Sequence, residues 1–152
     1  GMQHVYEKLY HSDDFMNIDA GAYLSGLIAD ISRTMFHGTD HIAVTTDIEP
    51  LTVNTRIAFP LGIIVCELIS NAFKYAFPGH RGGTVHVSFG KVREGEARLT
   101  IRDDGVGMNS AGVPGKPGFG LGLVQALASQ IAGSVTSSAS AGTTFSLTFP
   151  IV

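Results

Sequence analysis

Tryptophan is absent from these 152 residues, and cysteine occurs once, as Cys66. A lone cysteine excludes a disulfide framework, and its place in an apolar helical pattern marks a buried free thiol rather than redox or metal chemistry. Charged residues make up only 15% of the chain and balance to a formal net charge of −3, with no run of Lys or Arg. A surface that tracks nucleic-acid phosphates is therefore not expected. His37, His41, His80 and His86 are scattered without metal spacing and read as loop or surface residues. No apolar run of membrane-spanning length and no signal peptide are found, so direct membrane contact is not expected. Repeats and low-complexity tracts are missing too. What the chain does have is 44% hydrophobic residues, enough for one domain with a sizeable core. Gly1-Met2 reads as an expression scar ahead of a start inside a longer gene. The chain is thus expected to be a fragment.

Two glycine clusters mark the stretch from Arg102 to Val124, RDDGVGMNSAGVPGKPGFGLGLV. The first, Asp103-Asp104-Gly105-Val106-Gly107, follows the alternating Ala97-Arg98-Leu99-Thr100-Ile101-Arg102. That is a strand emptying into a turn, with glycines for positive φ or close backbone approach. The second, Gly118-Phe119-Gly120-Leu121-Gly122, leads into Leu123, Val124, Leu127, Ala128 and Ile131 at helical spacing. Glycines opening a helix present free N–H groups and the positive end of the helix dipole, which suits a phosphate. An acid on one side and a phosphate cradle on the other suggest a nucleotide between them.

Residues 3 to 12 carry Val5 and Leu9 on one side, as at the end of a helix, and Asp13 to Asp19 reads as a loop. Asp19 is an N-cap for a helix with the stripe Tyr23, Leu24, Leu27, Ile28, Ile31 and Met35. Strands are predicted over His41–Ile48, around Leu51–Val53, and over Thr84–Gly90. Further strands are predicted over Ala97–Asp103, Ser134–Ser138 and Thr144–Phe149, the last two joined through Ala141-Gly142. A second helix takes Pro60 in its first turn and runs through Leu61, Ile64, Val65, Leu68, Ile69, Ala72, Phe73 and Ala76. Glu67, Asn71 and Lys74 lie on it at i, i+4 and i+7. At about 100° per residue they fall within roughly 60° of one another, beside the apolar arc. Alternating strands and amphipathic helices give an α+β fold in which the helices cover one face of the sheet.

Taken together, these elements resemble the ATP-binding catalytic domain of sensor histidine kinases, of the Bergerat fold shared with type II topoisomerase, Hsp90 and mismatch-repair ATPases. Glu67-Leu68-Ile69-Ser70-Asn71-Ala72-Phe73-Lys74-Tyr75 looks like the N box, and Asp103-x-Gly105-x-Gly107 like the G1 box. Gly118-x-Gly120-Leu121-Gly122 looks like the G2 box, and Gly142-Thr143 like the terminal Gly-Thr element. Pro60-Leu61-Gly62 and Glu7-Lys8-Leu9-Tyr10 resemble a two-component subgroup with a short nucleotide lid. The resemblance implies a two-layer α/β sandwich with a mixed, mostly antiparallel sheet. It places the tail of a dimerisation helix and a linker at residues 1–18 and the catalytic domain at residues 19–152.

The resemblance also implies roles. Asp103 accepts a hydrogen bond from the adenine amino group, and Gly105 and Gly107 let the backbone pass close to the purine. Asn71, with Glu67 as a further candidate, offers oxygen to Mg²⁺. Lys74 reaches a phosphate, and Lys116, in a lid at residues 108–117, meets the γ-phosphate. Gly118, Gly120, Leu121 and Gly122 form the phosphate contact, and Thr143 supports the Asp103 end. The implied reaction moves the γ-phosphoryl group of ATP to a histidine on an upstream dimerisation and phosphotransfer segment, whose motif this chain lacks. A response regulator receiver domain is the implied downstream partner, and the implied setting is cytoplasmic, with the parent protein open to membrane attachment.

Blander readings stand beside these. Asp103 and Asp104 are common turn formers before glycine, and the second cluster lacks both the P-loop Lys-Ser/Thr and the dinucleotide spacing. Glu67 and Lys74 also suit an ordinary helix-surface pair. Two other functions use such a chain: a serine protein kinase of the anti-sigma type, and a degenerate nucleotide-binding module serving as a scaffold. Intact boxes argue against the second.

Overall fold

The computed structural model describes residues 17–35, 42–77, 82–105, 119–139 and 142–151. Of the tail and linker expected at residues 1–18, residues 1–16 lie outside them. Residues 17 to 19 are not loop as expected: β1 (Asn17–Asp19) pairs antiparallel with β3 (Thr52–Asn54) in a two-stranded ribbon. Asp19 then caps α1 (Ala20–Thr34), its carboxylate accepting the Ala22 N–H at 3.2 Å. The same oxygen accepts the Leu51 N–H at 3.3 Å, so one side chain starts the helix and fastens it beside the ribbon.

The second helix begins earlier than its proline suggested. Asn54 accepts the Arg56 N–H at 2.8 Å and caps α2 (Thr55–Asn71), leaving Pro60 inside the helix. There the ring removes one N–H from the helical ladder, and the buried position compensates by packing. The helix continues past Asn71 as a π-helical turn, Ala72–Ala76. Thr55–Ala76 together form 22 residues long and apolar enough to cross a membrane, which corrects the reading that no such run exists. Its apolarity has another cause. Leu61, Ile64, Val65 and Ile69 are fully buried in the protein's own core, as befits a central helix that is apolar nearly all round.

Five strands make the main sheet, in the order β2 (Ile42–Ile48), β4 (Gly83–Arg93), β5 (Glu96–Asp103), β7 (Thr143–Pro150) and β6 (Ser134–Ser138). β2 runs parallel to β4 and the other pairs are antiparallel. The sheet is thus mixed and mostly antiparallel, in an α+β fold. The period of two buries Val85, Val87 and Phe89, then Ala97, Leu99 and Ile101, then Phe145, Leu147 and Phe149. Phe89 and Phe149 stack with ring centroids 6.4 Å apart. α1, α2 and α3 (Phe119–Gln130) share one core with this face. The other face carries the alternate residues, such as His86, Thr100, Arg102 and Ser146, and Thr100 bonds Ser146 across the strands at 3.2 Å.

Candidate nucleotide site

The inward positions of β5 run Ala97, Leu99, Ile101 and then Asp103. An acid thus occupies a core position at the sheet's end, with only 8% of its surface exposed. Burial pushes its carboxyl above the usual aspartate range; hydrogen bonds from Gly105 and Thr143 pull the other way, and the charge of Asp104 adds to the rise. Its Oδ1 accepts the Gly105 N–H at 2.9 Å and the Thr143 N–H at 3.3 Å. Among the described residues nothing bonds Oδ2, which leaves an acceptor for a ligand.

The glycines around it have local reasons to be glycine. A Cβ on Gly105 would lie 2.2 Å from the Ala76 carbonyl oxygen, so the turn after β5 lies flush against the π-helical turn. Gly142 has φ +104°, and a Cβ there would come within 2.1 Å of the Asp103 carbonyl oxygen. Gly122 differs: among the described residues a Cβ there would meet nothing within 4 Å.

Asp103, Asn71 and Thr143 line one cavity of about 200 Å³ between α2, α3 and the sheet. Leu68, Ile101, Val124, Val135 and Phe145 give it apolar walls, while Gln125, Ser137 and Ser138 add polar groups. An apolar slot with a few convergent polar atoms is what a planar heterocycle requires. Sequence reasoning missed Gln125 and the end of β6. A polar residue directly after Val124 in the apolar stretch at residues 123–128 was the available signal for the first, and the serine pair closing β6 for the second.

Glu67 and Lys74 are not among the described residues that line this cavity. Glu67 is half-buried and Lys74 exposed. Asn71 is the last residue of α2 and Lys74 sits in the π-helical turn, where the wider turn rotates it off the stripe expected from a continuous α-helix. Cys66, beside Glu67, is a half-buried thiol held above its usual range by burial first and by the Glu67 charge second. Gly120, Leu121 and Gly122 fall in the first turn of α3, which starts at Phe119. Gly107, Lys116, Gly118 and the lid at residues 108–117 lie outside the described residues. No group of three His, Cys, Asp or Glu able to hold a metal occurs among the described residues. A cation here would lean on one or two protein oxygens and on its ligand's phosphates, a pattern that suits Mg²⁺.

The family model for histidine kinase-, DNA gyrase B-, and HSP90-like ATPases matches residues 58–152. Blue-light-activated histidine kinase 2 of Erythrobacter litoralis (strain HTCC2594) is 30% identical over 91 residues, which are 60% of this chain and 26% of that protein. The chain therefore spans about a quarter of that curated relative. Among solved structures, the histidine kinase domain of the Erythrobacter litoralis EL346 blue-light-activated histidine kinase matches with TM-score 0.77 at 26% identity, over 88% of this chain and 62% of that one. The mycobacterial sensor histidine kinase MprB matches in fold, with TM-score 0.69 at 22% identity, over 89% of this chain and 96% of that one. The matched family span takes in more than half of the chain and every residue of the cavity, and the chain accordingly belongs to the histidine kinase-, DNA gyrase B- and HSP90-like ATPase family, with the form of a histidine kinase's ATP-binding catalytic domain.

Proposed function

We propose that this domain binds ATP with Mg²⁺ and transfers the γ-phosphoryl group to a histidine nitrogen on a dimerisation and phosphotransfer segment of the same protein. The observation that carries this reading is the buried Asp103 carboxylate, fixed through Oδ1 and open at Oδ2, in one cavity with Asn71. Asp103 accepts the adenine amino group, the neighbouring apolar walls hold the ring, and Thr143 steadies the acid. Asn71 offers its amide oxygen to Mg²⁺, with Glu67 as a further oxygen ligand or a helper of the acceptor histidine. Lys74 and Lys116 neutralise phosphate charge. Gly118, Gly120, Leu121 and Gly122 bring backbone N–H groups to the phosphates, and the empty space beside Gly122 supports a close approach there.

In the reaction the histidine nitrogen attacks the γ-phosphorus. The bond from that phosphorus to the bridging oxygen breaks, and its electron pair leaves with ADP. Positioning and charge neutralisation supply most of the acceleration in such transfers. A receiver domain of a response regulator then takes the phosphoryl group, in a cytoplasmic setting. No observation favours the serine-kinase or degenerate-module reading over this one.

Calorimetric titration of ATP with Mg²⁺ into the domain and into Asp103→Asn tests the reading. Saturable binding lost in the variant is expected. Binding that the substitution leaves unchanged means that the base sits elsewhere, and no binding by the parent domain at millimolar nucleotide would overturn the nucleotide reading.

A further inference from the structure

The two proposed ligand-contacting residues, Asn71 and Asp103, come from different elements, and an uninterrupted set of close contacts joins them. Asn71 leads directly into the π-helical turn, whose Ala72, Phe73 and Ala76 are buried, as is Phe77 after it. The far end of that turn and Phe77 after it meet the strand ends at two points, one beyond β5 and one at the start of β4. One is Gly105, where a Cβ would come within 2.2 Å of the Ala76 carbonyl oxygen. The other is Gly83 at the start of β4, where a Cβ would lie 2.1 Å from the Phe77 ring and 2.6 Å from Asp104 Oδ1. The Phe77 ring and the Asp104 carboxylate therefore both crowd the side of Gly83 where a Cβ would stand.

Asp104 is exposed, yet it exchanges two hydrogen bonds with Thr84. Its Oδ1 accepts the Thr84 N–H at 2.8 Å, and its own N–H donates to the Thr84 carbonyl at 3.3 Å. The β4–β5 ladder pairs Val85 with Asp103, so this exchange extends the ladder by one rung past the last residue of β5. A side chain replaces the backbone carbonyl that the turning chain no longer presents. The adjacent acids thus divide the work: Asp103 faces the cavity and ties β5 to β7, while Asp104 ties β5 to β4 and packs on Gly83 beside Phe77.

We infer that Asp104 is a positioning residue for nucleotide binding, which through Thr84, Gly83 and Phe77 holds the π-helical turn so that Asn71 and Asp103 face the same ligand. The inference rests on the ATP reading above. A π-helical turn has poorer backbone geometry than an α-helix and commonly survives by external support; the contacts with Gly83 and Gly105 supply that support here. Asp104 does so through an accepted hydrogen bond and not through contact with the ligand. Asparagine, which keeps the acceptor oxygen, should therefore replace it, and alanine should not.

The test is calorimetric titration of ATP with Mg²⁺ into the domain, Asp104→Ala, Asp104→Asn and, as a control on the site itself, Asp103→Asn. Expected are a loss of about tenfold in affinity for Asp104→Ala, typical of a coupling carried through contacts, and rescue to within about twofold for Asp104→Asn. If Asp103→Asn abolishes binding while Asp104→Ala binds like the parent, the inference falls and the ATP reading stands. If Asp103→Asn is without effect, the base sits elsewhere and the site on which this inference rests has failed; no binding by the parent domain would overturn the ATP reading itself. Weak binding by both Asp104 variants would assign the effect to charge and overturn the positioning role. A second measurement needs no variant: amide exchange in the parent domain with and without ATP and Mg²⁺. Slowed exchange at residues 72–77 and Thr84 together with Gly105 is expected. Protection of Gly105 alone would break the proposed connection.

Discussion

The Asp103 carboxylate accepts the Thr143 N–H at 3.3 Å and so binds the end of β5 to the start of β7 across the floor of the cavity. Beside it, Gly142 sits so close to the Asp103 carbonyl that no side chain fits. The acid and the Gly-Thr pair are therefore one structural unit, although the sequence separates them by a whole helix and a strand.

Asp103→Asn separates the stability of this unit from its function. The amide keeps an oxygen for Gly105 and Thr143 but sheds the charge whose burial is unfavourable. Because burial raises the folded-state pKa above its unfolded value, the stability contributed by protonated Asp103 is present below the unfolded pKa and lost as pH rises through the folded one. At neutral pH the variant should melt at or above the parent's temperature while its saturable ATP binding is lost, because the adenine amino group loses its charged acceptor. Differential scanning calorimetry beside the binding titration reads both. A variant that melts well below the parent at neutral pH would contradict the buried-charge account.

The same shift sets a pH dependence in the parent domain. A protonated carboxyl no longer offers the adenine amino group a charged acceptor beside the occupied Oδ1, so ATP affinity should weaken on acidification, and at a higher pH than an ordinary aspartate would dictate. The Asp103→Asn variant should lack that component. An identical pH profile in both proteins would place the titrating group elsewhere.

Gly142→Ala tests the close approach. A residue with a side chain at φ +104° is strained wherever it stands, and here the added Cβ also meets backbone. A loss of about 2 kcal/mol is expected, within the range for a forced backbone conformation, readable by urea unfolding. Gly122→Ala provides the contrast. It meets open space inside a helix, so stability should hold or rise by roughly 0.5–1 kcal/mol, while a phosphate approaching closely would be hindered.

Much of this fold is legible in the sequence itself. The inner faces of β4, β5 and β7 follow from strict alternation, because a half-buried strand can satisfy one face only by a period of two. Asp103 is marked in the sequence as the acid before two glycines, whereas its inward slot in the alternation of β5 is visible only in the fold. The ribbon of β1 and β3 was not legible as a pair, since three-residue strands carry no readable period and their pairing rests on Asp19 and Leu51 meeting in space. Pro60 misplaced the start of α2, because proline marks a first turn by propensity alone while Asn54 had the capping side chain. The π-helical turn left no mark either. Its apolar residues Ala72, Phe73 and Ala76 also suit a continuous α-helix, and only the contacts of Ala76 and Phe77 with Gly105 and Gly83 distinguish the two.

That turn gives the last prediction its force, because it parts two residues that the sequence aligned. Asn71 lines the cavity, whereas Lys74 is exposed beyond the change of helix type. If Asn71 holds Mg²⁺, Asn71→Ala should bind ATP equally with Mg²⁺ and with a chelator, having lost the oxygen that made the metal useful. Lys74→Ala should weaken both conditions alike, by about threefold to tenfold, as a point charge near phosphate would, and keep the Mg²⁺ dependence. Fluorescent-nucleotide displacement with and without chelator measures all four affinities. Should Lys74→Ala lose the metal dependence and Asn71→Ala retain it, the metal must lie beyond the π-helical turn and away from the cavity, and the assignment of Asn71 would have to be withdrawn.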